Sequence, residues 1–505
     1  MLRKIRIALA TIFFVAITLM FLDFTGTLHG WFSWMAKLQF LPAVMALNLA
    51  VIVLLVCLTL VFGRIYCSVI CPMGVYQDVV SHLSGSRKKK KLRFTPSKEV
   101  KWLRYGVWVL FVLAIVAGIH AFVALLAPYS SWGRIVQSLL APLYQWGNNV
   151  LAYFARRADS YAFYPKEVWL KSLPTLIVAA VTLIAVTILA WKNGRTYCNT
   201  ICPVGTTLSF FSRFSLLRPT IDTDKCRDCH VCEKKCKASA IDIKEHTVDA
   251  TRCVDCFNCI SNCKFDAMHY RFAYGKKSSG SAPASPKNNG KTPSKTDNSR
   301  RAFVSSSAML VGALALNAQD KKRDGGLADI LPKTRIKRAT PITPFGSESV
   351  KDFYTRCTAC QLCVSACPNN VLRPSSDLEH LMQPEMSYEK GYCRPECVKC
   401  SEVCPAGAIR KITPQEKTAL HVGLAEWDRS LCVVLTDGVE CGNCARHCPT
   451  GAIEMVKLNP ENPDSPLIPA VNESICIGCG ACENLCPARP VSAIRVNGLR
   501  THIIS

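Results

Sequence analysis

The chain is short of acidic residues and lacks the motifs of nucleotide-dependent and hydrolytic enzymes. Its 505 residues carry 36 Asp and Glu against 61 Lys and Arg, a formal net charge of +25. It has no dinucleotide fingerprint, no P-loop and no array of Ser, His and Asp. A basic excess alone would suggest nucleic acid. Here the basic residues lie beside apolar runs, so we predict a membrane partner and no nucleic acid. No catalytic base is evident, and enzyme status stays open.

Four apolar stretches are long enough to cross a bilayer core, which needs about 20 residues. They lie near 5–22, 40–62, 104–127 and 173–191. Nine Lys and Arg fall within 63–101, against five within 128–172. Because cytoplasmic loops are enriched in Lys and Arg, the N-terminus and the 63–101 loop are predicted in the cytoplasm. The sequence therefore predicts a multi-pass protein of the bacterial cytoplasmic membrane.

The sequence also predicts roles for two residues within these stretches. Cys57 is predicted to be a small core residue. His120 is an intramembrane polar group, and so a candidate for a quinone pocket or a haem. The alternative for His120 is a hydrogen bond to a neighbouring helix.

A twelve-residue repeat follows the second and fourth apolar stretches. Residues 63–74 read GRIYCSVICPMG and residues 194–205 read GRTYCNTICPVG, with eight identities. The four-span unit is therefore predicted to be a duplicated helical hairpin. The thiols of Cys67, Cys71, Cys198 and Cys202 would converge if the hairpins pack with pseudo-symmetry. A metal site, a redox dithiol and a tight helix exit all remain open for them.

Most of the 29 cysteines fall into six groups with the spacing of [4Fe–4S] ligands. Two C-x2-C-x2-C-x3-C groups occupy residues 218–273. In two-cluster ferredoxins the fourth cysteine of such a group ligates the other cluster. We therefore predict one cluster on Cys226, Cys229, Cys232 and Cys263, and a second on Cys253, Cys256, Cys259 and Cys236.

Four further groups lie within residues 346–500. Two have regular spacing: Cys357, Cys360, Cys363, Cys367 and Cys476, Cys479, Cys482, Cys486. Two have a longer first gap: Cys393, Cys397, Cys400, Cys404 and Cys432, Cys441, Cys444, Cys448. Cys432 is separated from its group by the longest of these gaps. This segment resembles four-cluster electron-transfer subunits, which implies pairing of the first group with the fourth and of the second with the third. Sequential pairing remains open.

Zinc and disulfides fit these groups poorly. Structural zinc sites usually use two separated knuckles with two ligands each. Triplets of cysteines repeated six times instead indicate cubane clusters. The sequence therefore predicts six [4Fe–4S] clusters.

The middle of the chain has a different composition. Residues 274–298 are rich in Lys, Ser, Gly, Pro and Asn, which predicts a flexible linker. Residues 299–319 begin SRRAFV and continue as a weakly apolar run, which predicts a twin-arginine export signal or a fifth span. The alternative is an ordinary buried helix. A second linker is predicted at 320–345. Cleavage near Ala313 and Ala315 stays open.

These features resemble two families joined end to end. Residues 1–273 resemble NapH, the membrane subunit of a quinol dehydrogenase in periplasmic nitrate reduction. Residues 299–500 resemble NapG or MauM, a twin-arginine signal followed by four cluster motifs. The resemblance implies an α-helical membrane domain at 1–217 with four spans, or five, plus α+β bacterial-type ferredoxin domains at 218–273 and 346–500. It also implies quinol as electron donor and a periplasmic cytochrome or reductase as acceptor.

The predicted function is electron transfer between the quinone pool, or a cytoplasmic donor, and a periplasmic reductase chain. The two-cluster domain would be cytoplasmic and the four-cluster domain periplasmic. One alternative is a maturation factor that reduces a metal or thiol on a client respiratory enzyme. Another is a ferredoxin hub confined to the cytoplasm.

Overall fold

A computed structural model describes residues 1–23, 26–87, 100–274 and 331–504. The predicted export-like segment at 299–319 lies outside the described residues, as does all but the first residue of the linker at 274–298. Residues 320–330 of the second linker lie outside them too.

The first part of the chain is a helical unit. Its helices are α1 Leu2–Leu22, α2 Leu28–Lys37, α3 Phe40–Met45, α4 Leu49–Phe62, α5 Ile65–Val69, α6 Pro72–Arg87, α7 Lys101–Val116, α8 His120–Leu126, α9 Pro128–Ile135, α10 Ala141–Arg157, α11 Leu173–Asn193, α12 Thr196–Thr200 and α13 Pro203–Ser212. A π-helical turn, Val136–Leu140, joins α9 to α10.

Two of the four predicted spans are continuous helices. Helices α1 and α11, of 21 residues each, are long and apolar enough to cross a membrane, and no other helix of the described residues is. The second stretch breaks at Leu47, which has a φ of 52°, and Asn48 then caps α4 by accepting from the Val51 N–H. The third stretch breaks at Gly118, with a φ of 75°. The predicted four spans are therefore not supported by the described residues, because hydropathy does not register such local breaks.

Apolar side chains cover the outer faces of these helices. Cys57 is exposed on α4, so its predicted core position is wrong. Its neighbours Val53 and Leu54 are exposed as well. Helices α1, α7 and α11 also expose large apolar side chains: Ile5, Leu9, Ile12, Val15, Val109, Leu110, Leu113, Ile177, Val181, Ile184 and Ile188.

Two small α+β units hold the six cysteine groups. The two-cluster unit contains β1 Leu217–Ile221, α14 Val231–Lys234, β2 Ile241–Asp242, β3 Thr247–Val248, α15 Asn258–Asn262 and β4 Met268–Phe272. Strand β1 pairs antiparallel with β4, and β2 pairs with β3. The β1–β4 pair thus joins the first and last strands of the unit, and the β2–β3 hairpin lies between its two cysteine groups.

The four-cluster unit has the same short helices and strands in larger number. It contains α16 Val350–Arg356, α17 Leu362–Ala366, β5 Leu372–Pro374, β6 Pro384–Met386, α18 Lys399–Val403, α19 Pro414–Thr418, β7 Leu420–Trp427, α20 Val433–Thr436, α21 Asn443–Arg446, β8 Ile453–Lys457, β9 Leu467–Val471, α22 Ala481–Leu485 and β10 Ile494–Ile504, with a 3-10 turn at Arg429–Leu431. Antiparallel pairs form between β5 and β6, β7 and β10, and β8 and β9.

The helical unit lies between the two ferredoxin-like units. At the start of α1, Arg3 Nη1 donates to Ser261 Oγ of the two-cluster unit at 3.5 Å. Beyond the end of α1, His29 Nε2 lies 3.3 Å from Ser365 Oγ of the four-cluster unit. The two units therefore contact opposite ends of α1.

Helix α11 repeats this arrangement in the opposite direction. Before it begins, Lys171 lies within electrostatic range of Cys363 and Cys367. After it ends, the Arg195 N–H donates to the Lys237 carbonyl of the two-cluster unit at 2.9 Å. Both continuous apolar helices thus run from one ferredoxin-like unit to the other.

Candidate iron–sulfur centres

The four regular cysteine groups share one backbone conformation. In each, the second and fourth residues after the first cysteine have a positive φ: Asp228, His230, Asp255, Phe257, Ala359, Gln361, Gly478 and Gly480. Alternation of left-handed and other residues turns successive N–H groups toward one concave side, a geometry found at iron–sulfur sites. The local chain is therefore shaped to hold an anionic cluster.

The fourth cysteines receive backbone hydrogen bonds in a repeated pattern. The N–H of the residue four places later donates to the sulfur: Ala240 to Cys236 at 3.4 Å, Ala267 to Cys263 at 3.3 Å and Ala452 to Cys448 at 3.2 Å. Hydrogen bonds to the sulfurs stabilise thiolate ligands and tune cluster potentials. These residues fit the predicted [4Fe–4S] groups.

Burial makes these thiols poor acids without a bound cation. Burial raises the pKa of the Cys360 thiol to about 12 and that of Cys479 to about 12. Metal binding requires the thiolate, so iron would displace these protons. Buried thiols arranged in this way are suited to iron rather than to nucleophilic chemistry.

In the two-cluster unit, the structure brings together cysteines of different groups. Cys236 lies within electrostatic range of Cys256 and Cys259, as the predicted exchange of fourth cysteines requires. Cys232 lies near Cys226 and Cys229 of its own group. Cys263 packs in the small core that also contains Cys232.

In the four-cluster unit, neighbouring groups pair in sequence order. One cavity is lined by Cys367 together with Cys393, Cys397 and Cys400. A second is lined by Cys448 together with Cys476, Cys479 and Cys482. The first group therefore joins the second, and the third joins the fourth. The first-with-fourth pairing that the resemblance implied is wrong for this chain.

The reciprocal contacts agree with this pairing. Cys404 lies within electrostatic range of Cys357, Cys360 and Cys363. Cys486 lies within the same range of Cys444. Cys432 is buried and directly precedes α20, and its role as a ligand remains a prediction.

Family models assign iron–sulfur chemistry to both halves of the chain. Residues 44–91 and 172–221 match a model described as a 4Fe-4S binding domain. Residues 249–371 and residues 439–489 match models described as 4Fe-4S dicluster domains. No solved structure matches the chain.

Curated relatives narrow this to ferredoxin-type proteins. The "Methylamine utilization ferredoxin-type protein MauM" of Methylobacillus flagellatus is 33% identical over 164 residues, which are 31% of this chain and 68% of the relative. The chain belongs to the MauM family of ferredoxin-type proteins. The "Ferredoxin-type protein NapF" of Escherichia coli K12 is 29% identical over 183 residues, 36% of this chain and 99% of the relative. The "Ferredoxin-type protein NapG" of Haemophilus influenzae is 30% identical over 152 residues, 28% of this chain and 53% of the relative.

The helical unit of this MauM-family chain brings its two C-x3-C-P repeats together. The four thiols, each 4% exposed, are Cys67, Cys71, Cys198 and Cys202. Electrostatic contacts link them across the repeats, as Cys71 interacts with Cys198, and Cys202 interacts with Cys67 and Cys71. The predicted convergence is therefore seen in the structure.

One polar pair escaped the sequence analysis. His29 and Asp23 form a close pair through His29 Nδ1, where the chain passes from α1 into α2. Both side chains are largely buried, and His29 faces Ser365, two residues from Cys363 and Cys367. The pair could have been noticed in the sequence, because Asp23 and His29 both follow closely after the first apolar stretch.

His120, the residue that the sequence did single out, begins α8. It is buried, and its Nε2 has no hydrogen-bond partner among the described residues. Its role in a quinone pocket or a haem site remains a prediction.

Proposed function

We propose that this MauM-family chain is a membrane-bound polyferredoxin. It carries electrons through [4Fe–4S] clusters between the quinone pool, or a cytoplasmic donor, and a periplasmic cytochrome or reductase chain. The observation that supports this most directly is the contact of the two ferredoxin-like units with opposite ends of α1 and α11. The resemblance of residues 1–273 to NapH, and of residues 299–500 to NapG and MauM, gives the expected donor and acceptor.

The dimensions of the helical unit suit a bilayer. At 1.5 Å per residue, 21 residues span about 31 Å, close to the roughly 30 Å of a hydrocarbon core. The exposed apolar faces of α1 and α11 would contact lipid in that position. The basic loop at 63–101 joins the end near the two-cluster unit, which favours the cytoplasm for that unit and the periplasm for the other.

The four clusters of the outer unit would form a continuous path. Cys363 of the first cluster interacts with Cys400 of the second. The Cys393 N–H donates to the Cys479 carbonyl at 3.0 Å, which joins the second cluster to the site of the fourth cysteine group. Cys482 of that site interacts with Cys444 of the last. Electrons entering near α17 can therefore leave near α21.

Quinol oxidation also needs a group that accepts protons, and the His29–Asp23 pair meets this need. Burial lowers the pKa of His29, so that its imidazole is neutral near pH 7 and can accept a proton. Asp23 orients the ring through Nδ1, which leaves Nε2 facing the four-cluster unit. A quinol bound here would lie beside the first outer cluster.

The most direct test of this function asks on which side of the membrane the four-cluster unit lies. A reporter active only outside the cytoplasm, fused after Ser505, should be active on a stable, full-length chain. The same reporter fused before Met1 is the matched control and should be inactive. An inactive reporter on the intact C-terminal fusion would overturn the transmembrane path.

A second measurement separates electron transfer from the maturation of a client enzyme. In membranes containing the chain, added quinol should reduce the outer clusters, followed by their paramagnetic resonance signals. If the outer clusters stay oxidised in sealed, active membranes while a client enzyme still matures, the chain is a maturation factor instead.

A further inference from the structure

The two C-x3-C-P repeats build one symmetric site around two buried arginines. Arg64 Nη2 lies 3.9 Å from Cys67 Sγ and donates to the Cys198 carbonyl at 3.2 Å. Arg195 Nη1 lies 3.8 Å from Cys198 Sγ and donates to the Cys67 carbonyl at 2.7 Å. Each arginine thus contacts the thiol of its own repeat and the backbone of the other.

Two glycines allow the repeats to approach this closely. A Cβ at Gly74 would lie 2.1 Å from the Cys67 carbonyl oxygen and 2.7 Å from Arg195 Nη1 of the other repeat. A Cβ at Gly205 would lie 2.4 Å from the Cys198 carbonyl oxygen and 2.8 Å from Arg64 Nη2 of the other repeat. Such distances are far inside van der Waals contact, so only glycine fits at both positions. The identity of the two repeats at these positions is therefore explained by the packing of the thiol loops.

The groups around the sulfurs are positive or donate hydrogen bonds. Gln77 Nε2 donates to Cys198 Sγ at 3.2 Å, and the Gly205 N–H donates to Cys202 Sγ at 3.4 Å. Both guanidinium groups are fully buried. Cations and N–H donors stabilise thiolates over thiols, and N–H···S bonds tune metal-bound sulfur. A simple helix exit has no need of them.

The spacing of the sulfurs argues against one bound ion. Among the described residues, only Cys226, Asp228 and His246 bring three ligand atoms within 4.8 Å of one another. The four thiols of the repeats are therefore spread more widely than around a tetrahedral zinc or iron. All four are free in the structure. A cluster, in which different iron atoms hold the thiolates, requires a wider spread than a single ion does.

The site lies between the two ferredoxin-like units. On one side, Asn199 Nδ2 donates to the carbonyls of Ala238 and Arg252, which adjoin the cluster loops of the two-cluster unit. On the other side, Tyr197 interacts with Cys198 and with Arg134, and Arg134 interacts with Cys360.

A second bridge of buried aromatic residues runs parallel to the first. Tyr66 interacts with Cys71, and Tyr129 interacts with Tyr66, Cys360 and Cys404. Along each route, two side chains therefore lie between the thiols of the repeats and the cysteines of the first outer cluster.

We propose that Cys67, Cys71, Cys198 and Cys202 together hold one further iron–sulfur cluster, which relays electrons between the two-cluster and four-cluster units. The family match describes each repeat segment as 4Fe-4S binding, but each contributes only two of these thiols. An electron from a reduced cluster on one side converts one Fe(III) of this centre to Fe(II). Its transfer onward restores Fe(III) and reduces a cluster on the other side, with no bond made or broken. The relay rests on the proposed function, whereas the cluster itself does not.

The first test measures iron and acid-labile sulfide in the purified full-length chain, kept anaerobic. Cys198→Ser should lose one cluster's iron and sulfide and one paramagnetic signal. Cys57→Ser, which changes an exposed cysteine of the same helical unit, is the matched control and should lose nothing. Unchanged iron and sulfide in folded Cys198→Ser would overturn the centre.

The second test measures transfer between the units. In sealed vesicles, an impermeant reductant on the side of the two-cluster unit should reduce an impermeant acceptor on the other side. Cys198→Ser should lower this rate to that of vesicles without protein. Loss of the cluster with an unchanged rate would overturn the relay. Failure of the C-terminal reporter would overturn the proposed function, while the iron and sulfide result would still decide the centre.

A third variant covers the case in which Cys198→Ser does not fold. Gln77→Leu keeps all four thiols but removes one N–H···S bond. It should shift the midpoint potential of a single cluster downward, with full iron content. Unshifted potentials for all clusters in folded Gln77→Leu would overturn the centre.

Discussion

The Lys417 ammonium donates to Cys393 Sγ at 3.1 Å from an almost fully buried position. Its other hydrogens reach the carbonyls of Arg394 and Cys397 at 2.5 and 2.6 Å. Lys417 comes from α19, outside the cysteine loop, and holds that loop closed. A buried positive charge on a ligand sulfur stabilises the reduced, more negative cluster.

Replacing Lys417 with methionine should lower the midpoint potential of the cluster on Cys367, Cys393, Cys397 and Cys400. A hydrogen bond to a charged group contributes about 1.5–3 kcal/mol, which corresponds to a downward shift of roughly 60–130 mV. A redox titration monitored by paramagnetic resonance measures it. Lys411→Met, which removes the same charge from an exposed position nearby, should shift that potential much less.

The sequential pairing of the cysteine groups can be checked against the same signal. Cys367→Ser should alter the cluster that Lys417→Met shifts, because Cys367 lines the cavity of Cys393, Cys397 and Cys400. Cys448→Ser should alter a different cluster. The nested pairing of the related four-cluster subunits predicts the reverse result, so either outcome decides between the two arrangements.

A buried charge network joins the helical unit to the two-cluster unit. Asp78 of α6 pairs with Arg6 at 2.7 Å, Arg195 at 2.8 Å and Lys237 at 3.1 Å. Asp78→Ala would leave three buried cations without their carboxylate. We expect the free energy of unfolding to fall by about 3–5 kcal/mol. Thermal unfolding in detergent measures the loss, and the exposed Asp464→Ala should leave stability nearly unchanged.

The proposed role of the His29–Asp23 pair as proton acceptor predicts a defined pH dependence for quinol oxidation. Burial lowers the pKa of His29 below its usual 6.5, while Asp23 opposes and Lys399 adds to that shift. The neutral imidazole is the base, so the rate should be insensitive to this group above pH 6.5. It should fall as the pH drops through the lowered pKa. Asp23→Asn removes the opposing carboxylate and should move the decline to still lower pH.

His29→Gln should slow quinol-dependent reduction of the outer clusters by roughly 100-fold or more, the usual contribution of a general base. The pH-dependent decline should disappear with it. His82→Gln, on an exposed face of α6, is the control and should retain both the rate and the profile. A normal rate and profile in His29→Gln would assign proton transfer to another group.

The helices expected from hydropathy differ from those in the structure at the second and third apolar stretches. The composition of 40–62 and 104–127 predicts continuous spans, but Leu47 and Gly118 take a positive φ and end the helices there. Such breaks are local and depend on how the ends are capped and packed. A count of apolar residues does not register these breaks. Nor does such a count show which side of a helix faces the core, so it wrongly predicts that Cys57 is buried.

The sequence by itself determined the cysteine loops, since each binding loop is local and its spacing brings three thiols together. It also indicated the duplication, because both thiol repeats can be read directly. Tertiary structure decided which fourth cysteine completes each loop of the four-cluster unit, and it showed that the two repeats meet around Arg64 and Arg195. It also placed His29 and Lys417, neither of which belongs to a cysteine motif, beside the cysteine loops. These contacts join distant residues, and they depend on packing between elements rather than on spacing within one.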